Sequence, residues 1–344
     1  MSTPDFQSWW QAATALPPSH RALKESVIPA LLGAVAQIGQ ALRRSHHVSL
    51  AGTANAFGDD QLNVDVISES LIRDCLATCP AVVTASSEED PVERPVHHHP
   101  DSSAEEDRGG DNSRERYTVA FDPLDGSSII APNWSVGTII GIWEGESALG
   151  QDPSRKQVAA ILGVHGPRTT AVVAVRLPGS TETVCFEVGL SSEEGVVGVA
   201  GAQMIRPSVR LIAAAPYRTR YFAPANLRAA ADDERYMKLV THYIENKYTL
   251  RYSGGLVPDV VHALVKGHGI YLSPFTAQSK AKLRKLFELF PVALILESAG
   301  GKAIDPATGL DILSQGIDEC DVRGGLICGN SEDVEHAKVM FGLQ

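Results

Sequence analysis

Apolar residues recur at helical spacing over positions 23–42, and Arg43-Arg44 follow where the end of a helix favours cations. Asp59-Asp60 are placed to start a second helix through position 76, with Leu62, Val66, Ile67 and Leu71 on its apolar side. Residues 81–85 read as a short buried strand ending in Ser86-Ser87-Glu88-Glu89-Asp90. The pattern then lapses. Residues 91–116 are polar, charged and spotted with Gly and Pro, which predicts a mobile surface loop. Strand character resumes at 117–121 and delivers Asp122 at its end, and 135–143 and 169–176 are further strands rich in Val, Ile and Thr. Up to about residue 204, short strands alternate with Gly-containing turns. Helical spacing returns at 233–247, 257–266, 277–299 and 333–340, with strand-like segments at 269–272 and 325–328 between them. Helices interleaved with mixed strands predict layered α/β structure in two lobes, with a site between them.

A chain of 344 residues with 44% hydrophobic content can bury a large core. Lys and Arg total 30 against 41 Asp and Glu, a net charge of -11, which argues against nucleic acid or an anionic membrane as partner. The five cysteines (Cys75, Cys79, Cys185, Cys320, Cys328) are sparse and lack paired zinc spacing. They fit a reducing compartment, and the expected location is cytoplasmic. Cys75 and Cys79 fall on one face of the second helix and read as small buried hydrophobes, with a metal or redox role as the alternative. His97-His98-His99 lie inside the polar loop, without an ordered frame for a metal. No uninterrupted apolar run has the length of a membrane span, and the N-terminus lacks a signal-peptide pattern.

The chemistry concentrates in Phe121-Asp122-Pro123-Leu124-Asp125-Gly126-Ser127-Ser128. Hard cations such as Mg²⁺ take carboxylate and carbonyl oxygens. A phosphate takes unhindered backbone N–H groups, which Gly126-Ser127-Ser128 can present. An ordinary polar turn fits the same eight residues, since Asp-Pro and Asp-Gly are common turn formers. Three further acidic segments tilt the balance. Gly58-Asp59-Asp60 is followed by Asp65, Glu88-Glu89 close a strand, and Glu288 interrupts Leu283-Arg284-Lys285-Leu286-Phe287-Glu288-Leu289-Phe290. A carboxylate in so apolar a helix is costly unless it meets a cation, although a solvated stripe is the plain alternative. Converging carboxylates repel one another, and divalent metals relieve that repulsion.

These segments, together with Gly58 to Asp65, Ser87-Glu88-Glu89, Val136 to Trp143, Gly166 to Thr170, Lys247 to Val260, Lys280 to Arg284 and Glu297 to Gly301, resemble the fructose-1,6-bisphosphatase superfamily. The resemblance runs from about Gly58 to Gly342, apart from the 91–116 loop. Within the superfamily, the Tyr-Thr-Leu-Arg-Tyr-x-Gly-Gly run and Ser128-Ile129 favour the branch acting on the seven-carbon sugar. It implies a layered α/β/α/β/α sugar-phosphatase fold with mixed sheets. It also implies a metal and phosphate lobe over residues 1–205, holding the 91–116 loop, and a sugar-binding lobe over 206–344. By resemblance, Glu88, Asp122, the Leu124 carbonyl, Asp125 and Glu288 match metal ligands, and Asp59 an acidic group near an additional metal. Asp65 and Glu89 match the pair that handles the proton of the attacking water. Gly126, Ser127 and Ser128 match the cradle of the hydrolysed phosphate. Asn226, Arg251, Tyr252 and Lys282 match groups holding the distal phosphate and sugar, and the counterpart of Arg251 can come from an adjacent subunit.

The implied cofactor is Mg²⁺, two or three per site, with Mn²⁺ as a substitute, and the implied assembly is a homodimer or homotetramer. The implied reaction converts sedoheptulose 1,7-bisphosphate to sedoheptulose 7-phosphate and phosphate. Fructose 1,6-bisphosphate is the alternative substrate, and a non-catalytic sugar-phosphate sensor the remote alternative. Departures are visible too. Ser273 stands where fructose enzymes have a Tyr near the distal phosphate. Val48 and Thr53 occupy the approximate positions of the regulatory Cys pair of plastid heptulose enzymes, and the nucleotide-inhibition motif is not recognisable, so neither form of regulation is expected. Ala131-Pro132 replaces an acidic-Thr pair, for which we have no physical account.

Overall fold

The computed structural model describes residues 5–13, 18–54, 60–98, 115–176, 183–191, 199–213 and 215–343. Its helices are α1 (Phe6–Ala13), α2 (Ile28–Arg44), α3 (Asn63–Leu76), α4 (Pro153–Lys156), α5 (Glu234–Glu245), α6 (Leu256–Lys266), α7 (Phe290–Ser298) and α8 (Ser331–Met340). The strands of the first half are β1 (Leu50–Ala54), β2 (Asp60–Leu62), β3 (Val82–Ser87), β4 (Arg94–Pro95), β5 (Tyr117–Asp125), β6 (Val136–Glu144), β7 (Gln157–His165), β8 (Thr169–Arg176), β9 (Thr183–Gly189) and β10 (Gln203–Arg206). Those of the second half are β11 (Tyr221–Pro224), β12 (Thr249–Leu250), β13 (Ile270–Ser273), β14 (Leu283–Arg284), β15 (Lys302–Ile304), β16 (Arg323–Gly324) and β17 (Leu326–Gly329).

An eight-stranded sheet runs β10-β9-β8-β7-β6-β5-β3-β4, antiparallel except for the parallel β3–β5 pair. A five-stranded mixed sheet runs β12-β11-β13-β17-β15. The alternation of side chains along a strand decides the layering. On β5 and β6, Val119, Phe121, Ile140 and Ile142 face one core with α1, α2 and α3. Ala120, Ile139 and Trp143 face a second core with α6 and α7, which the smaller sheet closes from its other side. The outer face of that sheet packs on α5 and α8 through Phe222, Tyr236, Tyr243 and Val334. The layers are therefore α/β/α/β/α, as expected. α7 is sandwiched between the two sheets, and its Phe, Leu and Ile side chains are buried, each burial contributing about 1.5–3 kcal/mol.

Several boundaries differ from expectation. The second helix begins at Asn63, and Asp60–Leu62 form a strand instead. Its buried positions are Val64, Asp65, Ser68, Ile72 and Leu76, whereas Val66 and Ile67 are exposed. The apolar period pointed the wrong way because this helix buries an acid and a serine. It also ends at Leu76, so Cys79 lies in the following turn, although it is buried as expected. Residues 277–282 are not helical. The chain passes through β14 and a π-helical turn, Lys285–Leu289, before α7. A matching π turn, Leu23–Val27, precedes α2. Each π turn is followed by a proline, Pro29 or Pro291, near the helix start. Proline lacks an N–H and crowds the carbonyl four residues back, so the turn before it widens to a five-residue bond. Ile28 N–H reaches Leu23 O and Phe290 N–H reaches Lys285 O in this way. Residues 23–44 do meet the length and mean hydropathy of a membrane span, yet half of them are buried, packed in the core under the larger sheet. Most of the predicted 91–116 loop, including His99, lies outside the described residues.

Candidate active site

Two carboxylates three apart on a regular strand point to opposite faces. β5 avoids this with a bulge. Asp122 pairs with Ile139 and Asp125 with Gly137, so β5 carries one extra residue between them. Pro123 sits inside the bulge, where a missing N–H costs no ladder bond, and its carbonyl accepts the Thr138 hydroxyl at 2.9 Å. Asp122 accepts the Leu124 N–H at 3.0 Å. Gly126 then turns the chain at φ +88°, a conformation that a side chain would strain, and Ser127–Ile129 form one 3₁₀ turn. The amides opening such a turn have no partner within it, so Ser127 and Ser128 can offer N–H groups to an anion.

Asp125 also reaches across the core. It accepts the N–H groups of Leu256 at 3.2 Å and Val257 at 2.7 Å, capping α6 in place of a cap from Gly255. The approach is close because β6 carries Gly137 there, where a Cβ would fall 2.3 Å from Val257. Glu288, on the π turn before α7, accepts the Arg284 N–H. Oxygens of Asp122, Asp125 and Glu288 lie within 4.8 Å of one another, and all three residues are buried.

Burial and mutual repulsion set their ionisation. Burial raises Asp122 well above the usual carboxylate range, and the charges of Glu288, Asp125 and Asp65 add to it. Asp125 is pushed up to about 6 by burial, against the two N–H bonds from α6. Glu288 is pushed up to about 8 by burial, with the Arg284 N–H opposing and Asp125 reinforcing. Three buried carboxylates in one place cannot all ionise without a compensating cation. An all-oxygen donor set of this kind fits a divalent hard metal.

The other expected residues fall around this centre. Asp65 is buried at the start of α3, accepts the Leu62 N–H at 2.9 Å and is raised to about 7, by burial first and with Glu89 adding to it. Asp65 and Glu89 are therefore brought together, and Glu89 also accepts the Gln61 amide. Glu88 lies outside the three-carboxylate group and is ion-paired with the Arg284 guanidinium. Leu124 buries its side chain with Val64 and Val136. Asp59 lies outside the described residues. Asn226 and Lys282 lie on one side of the C-terminal half, where Asn226 bonds Pro274 and Ser279 and Lys282 lines a cavity of about 660 Å³. Arg251 and Tyr252 line a different cavity of about 710 Å³, with Val64, Asp259 and His262.

Arg284 was not singled out from the sequence. It is buried, its N–H holds Glu288, and its guanidinium holds Glu88 and Asp321. A cation between Leu283 and Leu286, four residues before Glu288, was the available signal.

A buried carboxylate cluster, with two acids on a bulged strand and the third on the turn before α7, inside an α/β/α/β/α frame, is consistent with a divalent-metal site and with the sugar-phosphatase class of fold. Residues 19–190 match the N-terminal domain of fructose-1-6-bisphosphatase and residues 215–342 match its C-terminal domain. The chain belongs to the fructose-1,6-bisphosphatase family, and it is a sugar-bisphosphate phosphatase of that superfamily. It is 36% identical over 314 residues to the chloroplastic sedoheptulose-1,7-bisphosphatase of Spinacia oleracea, covering 89% of this chain and 73% of that one. It is 35% identical over 300 residues to the class 1 fructose-1,6-bisphosphatase of Syntrophotalea carbinolica, covering 87% and 83%. A crystal structure of a candidate sedoheptulose-1,7 bisphosphatase from Toxoplasma gondii superposes with a TM-score of 0.81 at 31% identity, covering 99% of each chain.

Proposed function

We propose that the protein is a Mg²⁺-dependent 1-phosphatase that prefers sedoheptulose 1,7-bisphosphate. The observation carrying the metal-dependent part is the buried Asp122, Asp125 and Glu288 group, whose charges need a cation. Glu88, the Leu124 carbonyl and Asp59 join that set by family resemblance. When bound, Mg²⁺ would supply water activation and stabilisation of phosphoryl and leaving-group oxygens. Asp65, whose pKa is raised to about 7, and its neighbour Glu89 are suited to accept the proton of the attacking water. The Gly126, Ser127 and Ser128 amides would hold the transferring phosphate. Asn226, Arg251, Tyr252 and Lys282 would position the sugar and its far phosphate, with Arg251 reaching the site of a second copy in a homodimer or homotetramer. A cytoplasmic location belongs to the same reading, on the sparse and odd-numbered cysteines of the sequence.

The seven-carbon preference is supported by Ser128-Ile129, the Tyr248 to Gly255 run and Ser273. Fructose 1,6-bisphosphate is the second reading, because identity to class 1 fructose enzymes is nearly the same. Initial phosphate release with Mg²⁺ from both bisphosphates, side by side, tests the proposal. Faster release per unit concentration from the seven-carbon substrate supports it. A reversed ratio favours the second reading, and release from neither by folded protein overturns both.

A further inference from the structure

The cavity bearing Lys282 is also lined by Arg228, Lys280 and Arg323. That is a dense cationic lining in a chain of net charge -11. Elsewhere Arg73, Arg176, Arg206 and Arg235 each sit against a carboxylate. Arg228, Lys280 and Lys282 make no ion pair among the described residues. Arg323 pairs with Asp321, and Asp232, the acid on the cavity wall, accepts the Thr276 hydroxyl at 3.3 Å. Uncompensated cations converging on a cavity repel one another, and a polyvalent anion relieves this.

Asn226, the family's expected sugar-phosphate contact, is already occupied. Its amide nitrogen donates to the Pro274 carbonyl at 2.7 Å and more weakly to the Ser279 carbonyl at 3.4 Å, and its amide oxygen accepts the Ser279 hydroxyl. Its backbone is left-handed, at φ +47°. These bonds weld the turn Leu227–Ala231 to the loop that carries Lys280 and Lys282. Arg228, two residues on, then faces that loop across the cavity, and its charge is felt at the Tyr252 phenol.

We propose that Arg228 is the specificity residue that grips the far phosphate together with Lys282, and that Asn226 acts through it as a positioning residue. The proposal rests on the sugar-bisphosphate reading above and assigns one of its subsites. Guanidinium fits a phosphate with two parallel donors, which lysine cannot match.

The test is calorimetric binding of fructose 6-phosphate and sedoheptulose 7-phosphate, which carry only the far phosphate, to full-length protein. Arg228→Gln should weaken both by roughly tenfold to a hundredfold, and Arg228→Lys should recover only part of the loss. Asn226→Ser should weaken binding when Arg228 is present and add little to Arg228→Gln. In turnover, Arg228→Gln should raise KM for a bisphosphate far more than it lowers kcat. Unchanged affinity in a folded Arg228→Gln protein overturns the assignment, as does wild-type protein that binds neither monophosphate at millimolar concentration. Wild-type protein that binds both and hydrolyses no bisphosphate supports the anion subsite while removing the enzymatic reading.

Discussion

The Asp125 carboxylate accepts the Val257 N–H at 2.7 Å across 132 residues of sequence. One side chain thus belongs both to the buried acidic cluster and to the start of α6, the helix that follows the Arg251-Tyr252 segment. Charge at the cluster and docking of that helix are linked through a single group.

Asp122→Asn should separate metal binding from folding. Without metal, burial and its acidic neighbours already hold Asp122 toward its neutral form, and a neutral amide there removes a group whose ionisation the cluster opposes, so stability should hold or rise. With Mg²⁺, the rise in Tm expected of wild type should shrink, and turnover should fall on the order of a thousandfold or more. Thermal melts with chelator and with Mg²⁺, beside a phosphate-release assay, check both halves. Near-normal turnover in folded variant would remove Asp122 from the metal set.

The pH dependence of the metal-free protein should run opposite to ordinary acid denaturation near neutrality. Glu288 is raised to about 8 and Asp125 to about 6, so each binds a proton more tightly when folded than when unfolded. Their contribution is fully present below about pH 4 and is lost as pH rises through 6 and then 8. His165 works the other way. It is buried and lowered to about 3, so acidification below its unfolded value of about 6.5 costs stability. Melts in chelator from pH 5 to 9 should show falling Tm on the alkaline side, and Mg²⁺ should flatten that fall. A metal-free Tm that rises from pH 6 to 9 would contradict the cluster assignment.

Arg284→Met should destabilise more than a surface arginine change. Arg284 is 2% exposed and pairs with Glu88, whose side chain is 26% exposed. Leaving a partly buried carboxylate unpaired costs up to about 3 kcal/mol, the lower end of the range for a fully buried pair, because solvent still reaches Glu88. The double change with Glu88→Gln should recover part of the loss. Equilibrium denaturation of the four proteins in the cycle measures the coupling, and additive losses would mean that the pair contributes nothing.

Ser273→Tyr should move substrate preference toward the six-carbon bisphosphate. Ser273 ends β13 and is half-buried, and a tyrosine there restores the bulk that the resemblance gives to fructose enzymes at this position. The readout is the ratio of kcat/KM for the two bisphosphates in wild type and variant. An unchanged ratio would show that Ser273 does not set sugar length.

Much of the candidate centre was legible because its residues break local rules. Asp122 and Asp125 flank a proline, and Glu288 interrupts an apolar run, so each asks for an explanation within its own segment. The bulge that turns Asp122 and Asp125 to the same side was not legible, since it depends on the register of β5 against β6. The buried face of α3 was misread because Asp65 and Ser68 are inside while Val66 and Ile67 are outside, and apolar periodicity cannot anticipate a polar core. Helix was overextended over 277–282 because the apolar run starting at Leu283 masked the two-residue pairing of β14 with β16. Arg284 escaped notice because its partners, Glu88 and Asp321, are far away in sequence.

The widened turn before Pro291 makes spacing itself part of the acidic centre. Glu288 reaches Asp122 and Asp125 from a segment that takes five residues to close its first bond. Deleting one residue between Lys285 and Leu289 would keep nearly all of the composition yet rotate the following residues by about 100° relative to the sheet. The acid would then be aimed at packed Phe and Leu side chains. Two homologous sequences that differ there by a single gap would therefore not be interchangeable at this position, even with every acidic residue retained.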